Sequence, residues 1–300
     1  MKKILIHLHI YYKEQTDMFA EKINSSLKGY DYDLFVTINE LDEKIEQKFL
    51  AFKPDTKFIV VKNVGADIYP FIRVLNLINL EDYSYLIKLH TKKIYDKKDG
   101  YHRLNTFLGL RKHFWNKYLI SFLSSQNIKK IIGKFEINEK LGITAHHFTI
   151  RKNVNADTNL KKEMLNLGLK KDVLKLFESN NFSVNLKDLQ HVSGTIFFAR
   201  AYIFNWVKQL NLSEADFKEY NKENKADTFI LCTMEIFIGN CANASGLVLD
   251  DVFTAKLQKI IEIFINSINF TFFNLRKFFF RIDNKGFVRI LKIPIFKLSA

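Results

Sequence analysis

Residues Val61–Lys93 read VKNVGADIYPFIRVLNLINLEDYSYLIKLHTKK. The chain leaves an apolar run, KFIVVK at Lys57–Lys62, through Asn63 and Gly65, residue types that favour tight turns. Asp67 then stands before Pro70-Phe71, where an apolar helix begins and runs to Ile78. A second apolar run, Tyr83–Leu89, predicts a buried strand that emerges into Lys88-Leu89-His90-Thr91-Lys92-Lys93. Strand, turn, helix and strand in one short stretch form the unit from which parallel, helix-covered sheets are built.

The same alternation extends in both directions. Upstream, Ile4–Tyr11 reads as a buried first strand. Thr16–Leu27 reads as a helix with Met18, Phe19, Ile23 and Leu27 at helical spacing, closed by Gly29. Asp33–Ile38 is a second strand and Leu41–Phe52 a second helix. Downstream, residues 96–187 are polar and mostly helical, apart from a short apolar piece at Leu141–Thr144. Gly194–Arg200 (GTIFFAR) predicts a strand entering a helix at Ala201–Leu210, and Asp227 is placed to cap a helix running to Phe237. The expectation is an α/β protein, a Rossmann-type, mostly parallel sheet flanked by helices with ligands at the carboxyl ends of its strands.

With 300 residues, 47% of them hydrophobic, the chain can bury one large core or two modest ones, which excludes a disordered chain. Its net charge of +14 attracts polyanions: nucleic acid, anionic lipid or a diphosphate. Cations spread through the chain without a nucleic-acid motif argue against the first. Cys232 and Cys241 have no second pair to complete a zinc site and read as reduced thiols. His7 and His9 interrupt the apolar start, so it does not read as a signal peptide, and no run reaches membrane-spanning length. A cytoplasmic protein is expected, either free or at the inner membrane face. From Phe253 onward Phe, Lys and Arg accumulate. That suits either a contact with an anionic membrane surface or a packed helix with a solvated basic face.

Two cations and an imidazole at a strand's end suit a diphosphate, because ammonium groups neutralise phosphate and His donates or titrates near neutral pH. The other reading is a solvated Lys pair on an exposed loop. His146-His147 does not read as a metal site: neighbours on a strand face opposite ways, and no third ligand is evident.

The Asn63–Lys93 block resembles the rhamnan synthesis protein F family, whose pattern runs N-x-G-R-D-x-x-P-F, a helix, a Tyr-rich strand and K-x-H-T-K-K. Asn63, Gly65, Asp67, Pro70, Phe71, Lys88, His90, Thr91, Lys92 and Lys93 match. GTIFFAR resembles the family's G-T-x-F-W-A-R, and Asp227–Gly239 its late helix around an acidic residue. The family's Arg residues are replaced by Ala66, by Asn116 after Trp115, and by Ile236 after Glu235. The resemblance spans Lys2–Gly246.

It implies a GT-A-like glycosyltransferase that moves a sugar such as L-rhamnose from a nucleoside diphosphate donor to a lipid-linked, growing cell-surface glycan, with inversion. Residues 1–250 would be the transferase domain, with 1–95 the donor half and 96–250 a helical insertion and acceptor half; 251–300 would be an extension. Tyr11, Thr37, Asn63, Gly65, Asp67, Lys88, His90, Thr91, Lys92 and Lys93 are the expected donor contacts. Gly194, Thr195 and Arg200 would shape the acceptor cleft. Asp227, then Glu235, then Asp67, are the candidates for catalytic base. His90-Thr91-Lys92 stands where GT-A enzymes carry a metal-binding D-x-D. Cations in place of a metal are therefore expected, with Mg or Mn as the alternative. The missing Arg residues leave open a second reading, a non-catalytic glycan-binding or assembly subunit.

Overall fold

The structure is a computed structural model that describes residues 3–92, 119–152, 189–217 and 225–260, with short backbone segments at 263, 280–282, 287–290 and 293–297. The chain divides into two compact units, Met1–Ile94 with Arg111–Phe253 and Tyr95–Leu110 with Thr254–Ala300.

In the first unit the elements follow in the order β1 (Ile4–Ile10), α1 (Thr16–Ser26), β2 (Tyr32–Ile38), α2 (Glu43–Leu50), β3 (Lys57–Val60), α3 (Ile68–Leu77) and β4 (Tyr85–His90). Then come α4 (Ser125–Ile137), β5 (Leu141–Thr144), β6 (Ile150–Lys152), β7 (Gln190–Val192), β8 (Phe197–Arg200), α5 (Asn205–Gln209), α6 (Lys225–Ala244) and β9 (Val248–Asp250). Seven strands form one sheet in the order β3-β2-β1-β4-β8-β5-β9. β3, β2, β1 and β4 are mutually parallel, β8 is antiparallel to both neighbours, and β9 is parallel to β5. This mostly parallel, helix-flanked sheet has the form of a Rossmann-like GT-A fold. β6 and β7 make a separate antiparallel pair.

Every residue of β1 is buried because both faces of the sheet are covered. Ile4, Ile6, Leu8 and Ile10 pack with Phe19 and Ile23 of α1, Phe49 of α2 and Ile131 and Phe135 of α4. On the other face Leu5, Phe35 and Leu86 pack with Phe71 and Leu75 of α3, Phe204, and Phe237 and Cys241 of α6. Each such buried side chain contributes roughly 1.5–3 kcal/mol. Burial pushes the Cys241 thiol up.

Three boundaries differ from the sequence reading in ways that shape the site. α3 starts at Ile68, so Pro70 falls in its first turn, where a missing N–H costs no intrahelical bond. Within GTIFFAR only Phe197–Arg200 is strand, because Gly194 and Thr195 have φ of 86° and 47° and form a left-handed turn. α6 starts at Lys225, which puts Asp227 inside its first turn instead of at the cap. The second unit contains an antiparallel sheet of β10 (Phe280–Ile282), β11 (Phe287–Ile290) and β12 (Ile293–Lys297), a region whose aromatic and β-branched residues favour strand over helix.

Candidate active site

The strand order reverses between β1 and β4, and the carboxyl ends of strands at such a switch point are where ligands bind in sheets of this kind. Thr91 closes the two ends together. Its hydroxyl oxygen accepts the N–H groups of Tyr11 and Tyr12, both at 2.9 Å, and its own N–H donates to the His9 carbonyl at 3.0 Å. Gln15 then grips the next residue from both sides. It accepts the Lys92 N–H at 3.1 Å and donates to the Lys92 carbonyl. The Lys92 side chain is thereby directed to a cleft of about 250 Å³ that it lines with Asp67, Thr195 and Glu235.

Asp67 reaches the cleft through a strained turn. Gly65 and Ala66 are both left-handed, with φ of 63° and 49°. A Cβ on Gly65 would lie 2.7 Å from Tyr69 and from the Phe217 ring, so only glycine fits there. The Asp67 carboxylate precedes the N-terminus of α3, where the helix dipole favours an anion. Its Oδ2 accepts from Lys88 Nζ at 2.5 Å and from the Thr195 hydroxyl. The Asp67 side chain is 19% exposed, whereas Lys88 is wholly buried.

Lys88 lies on β4 beneath the cleft, 5.4 Å from the Phe71 ring centre, and donates further to the Thr195 hydroxyl at 2.9 Å and carbonyl at 3.2 Å. Burial lowers its pKa, and Asp67 draws it back up. Burial pushes the Asp67 carboxyl up as well, but His90, Lys88 and the hydrogen bonds from Lys88 and Thr195 outweigh that and hold it well below the usual carboxylate range. Lys88 is thus committed to Asp67, and among the described residues Lys92 is the ammonium that faces the cleft.

The opposite wall is the Ser193–Thr195 turn and one turn of α6. Gly194 donates its N–H to Glu235 Oε1 at 2.8 Å. A Cβ on Gly194 would lie 2.7 Å from Lys92 Nζ, which places that ammonium against the turn. Gly239 lies four residues after Glu235 on the same helix face. A Cβ on Gly239 would lie 2.5 Å from His191 Cα, so α6 packs backbone to backbone on β7. Asn240 locks the contact by donating to the Gln190 carbonyl at 2.6 Å. Burial raises the Glu235 pKa, with Asp67 adding to the rise and the Gly194 N–H, Lys92 and Lys88 opposing it. Two carboxyl groups therefore face one cleft, with one held ionised and the other made more basic.

A polar stripe supports this arrangement from beneath. His7 and His9 of β1 pair in register with Lys88 and His90 of β4. His7 Nε2 and His9 Nδ1 both contact the buried Thr37 hydroxyl, at 2.9 and 3.1 Å. Burial lowers the pKa of His7 well below its ordinary value and that of His9 to about 4, which leaves both neutral.

The structure brings Asp67, Lys92, Gly194, Thr195 and Glu235 together on the cleft and puts Lys88 and His90 directly beneath it. Gly65 shapes the turn before it, and Asn63 is exposed on that turn. Several expectations are corrected. Thr37 is wholly buried under the histidines and cannot meet a nucleotide. The Thr91 hydroxyl accepts two backbone N–H groups and so acts as a clamp on the strands. Arg200 pairs with Tyr85 at the far end of β4 and donates to the carbonyls of Leu141, Phe135 and Asn138, so it braces the sheet at the end of β4 opposite the cleft. Tyr11 is 46% exposed at the mouth of β1. Lys93, Asn116 and the side chain of Asp227 lie outside the described residues. His7, His9, Gln15 and Gly239 were missed. The period-2 placement of His7 and His9 within a buried strand was the available signal.

Among the described residues no three or more His, Cys, Asp or Glu side chains gather as a metal site, and no helix is long and apolar enough to cross a membrane. In comparison with known proteins, the family model described as rhamnan synthesis protein F matches residues 1–246. No curated protein matches the chain significantly.

Proposed function

The chain belongs to the rhamnan synthesis protein F family, which implies a glycosyltransferase-related role in rhamnan synthesis, and on that premise we propose that it transfers a sugar from a nucleoside diphosphate donor to a growing cell-surface glycan. The observation that carries the reading is the pair of carboxyl groups with opposite tendencies, Asp67 and Glu235, facing one cleft with the Lys92 ammonium. Environments that push two acids apart assign them different tasks. Glu235, the more basic, takes the proton of the acceptor hydroxyl as its oxygen attacks the anomeric carbon, which gives inversion. The bond from that carbon to the diphosphate breaks, and the departing oxygen keeps the electron pair. Lys92 neutralises the charge that grows there. Asp67 remains ionised and faces the positive charge that develops on the sugar ring. Thr195 and Lys88 hold it in place.

In this reading cations replace a metal at the end of β4, with Mg or Mn as the rival. The donor is a nucleoside diphosphate deoxyhexose such as that of L-rhamnose, and the acceptor is lipid-linked. The protein works at the cytoplasmic membrane face. In the second unit Leu257 and Ile260 are 68% and 64% exposed on a helical stretch beside Lys256 and Lys259, a pattern suited to anionic lipid. Sedimentation with anionic vesicles is expected to fall when residues after Asp251 are removed, and unchanged sedimentation would favour a packed tail.

A thermal-shift panel of nucleoside diphosphate sugars with and without EDTA tests the donor site, since a ligand that binds only the native state raises its apparent stability. One donor should raise the Tm with EDTA present. A shift abolished by EDTA and restored by Mg or Mn would move the role to a metal. No shift with any donor would favour the non-catalytic subunit.

A further inference from the structure

His90 lies behind the cleft, near Asp67, and is hydrogen-bonded into its wall. Its ring is buried, with Nε2 2.7 Å from the Gly194 carbonyl and Nδ1 3.0 Å from the Thr91 carbonyl. Protonation would satisfy both contacts, and Asp67 at 3.7 Å favours it. Burial, Lys88 and Lys92 oppose it more strongly, and the pKa falls to about 4. The neutral ring has one N–H; carried on Nε2, the nitrogen with the shorter contact, it donates to the Gly194 carbonyl.

The two peptides that flank the Gly194 Cα have different partners. The carbonyl on one side accepts from His90, and the N–H on the other donates to Glu235 at 2.8 Å. Between them the chain is left-handed at both Gly194 and Thr195, a conformation that non-glycine residues adopt only when their surroundings hold them there. Lys88 and Asp67 grip the Thr195 side. His90 is the side chain that grips the Gly194 carbonyl. We propose that His90 is a positioning residue: by fixing the Gly194 carbonyl it turns the Gly194 N–H onto Glu235 and so sets where that carboxylate points and how readily it takes a proton.

The inference rests on the reading of Glu235 as the base, but its test does not. Among the described residues, the charged groups that act on Glu235 are Lys92 and Lys88 of β4 and its exit, and Asp67 before α3, with His90 reaching it through the Gly194 peptides. His90→Phe keeps a ring of similar size without the donor, and His90→Gln restores a donor near Nε2. With glutamate carboxyls labelled in ¹³C and the Glu235 resonance identified by its loss in Glu235→Gln, its titration can be followed with no substrate present. Losing one N–H bond to the carboxylate should raise its midpoint by roughly 0.5 to 1 pH unit in His90→Phe, with His90→Gln close to wild type. A midpoint unmoved in His90→Phe overturns the proposal. Should that variant fail to fold, the wild-type imidazole ¹⁵N shifts decide. An Nε2–H ring that stays neutral above pH 5 supports the proposal, and a bare Nε2 overturns it. If Glu235 is not the base, Glu235→Gln will keep its transfer rate whatever the titration shows, so the two failures have separate signatures.

Discussion

The two faces of β1 divide the labour of the molecule. One carries Ile4, Ile6, Leu8 and Ile10 into an apolar cluster against α1, α2 and α4. The other starts with Leu5 but continues with His7 and His9, which lie in register with Lys88 and His90 as the strands approach the cleft. Both faces are equally buried, so burial alone does not separate them. The apolar face holds the sheet together at little electrostatic cost. The polar face carries desolvated groups that must be satisfied one by one, and the hydrogen bonds that satisfy them fix the residues of the site.

Acid should separate the faces most strongly. His9 and His90 have folded pKa values of about 4, and that of His7 is also depressed, against about 6.5 in an unfolded chain. The unfolded state therefore takes up protons first. Their contribution to stability is complete above pH 6.5 and is lost as pH falls toward 4, by up to about 3 kcal/mol each for His9 and His90, with His7 adding to the loss in the same direction. Urea denaturation across this range should show the loss, and a flat profile would mean that the stripe is already charged or solvated.

The next largest effect is expected at the ion pair. Asp67→Ala leaves the Lys88 ammonium buried without its carboxylate and should cost roughly 3–5 kcal/mol in chemical denaturation. On the apolar face, Ile6→Ala should cost roughly 2–5 kcal/mol by the same measurement. Its cost should not vary between pH 4 and 7, which sharpens the contrast. The smallest change is a gain. Ala66 has φ of 49°, and Ala66→Gly should relieve about 1 kcal/mol of strain, read as a small rise in Tm.

Much of this fold was legible in the sequence because its signals are local. The alternation from Ile4 to Leu89 marks four strands and three helices close to where they lie. The cleft was legible in part. Lys92 stands out because cations at the exit of a buried strand make a poor structural cluster, and Asp67 through its place in the family pattern, since a turn with Asn and Gly is by itself usually only a turn. The division of work between Lys88 and Lys92 was not legible, because it depends on Thr195 arriving from far along the chain. Thr37 and Arg200 misled for a related reason. Position in a motif gives no information on which end of the sheet a residue occupies or whether the next strand covers it. The three strands of the second unit escaped notice because their mixed basic and aromatic pattern has no clean period.

The most direct test of the account is the transfer rate of Glu235→Gln at saturating concentration of whichever donor stabilises the wild-type protein. A base that removes the acceptor proton is worth roughly 10²- to 10⁴-fold, so kcat should fall by at least about 100-fold while the donor still raises the Tm as before. A variant that keeps kcat within about twofold of wild type would contradict the assignment of Glu235 and with it the reading of the cleft.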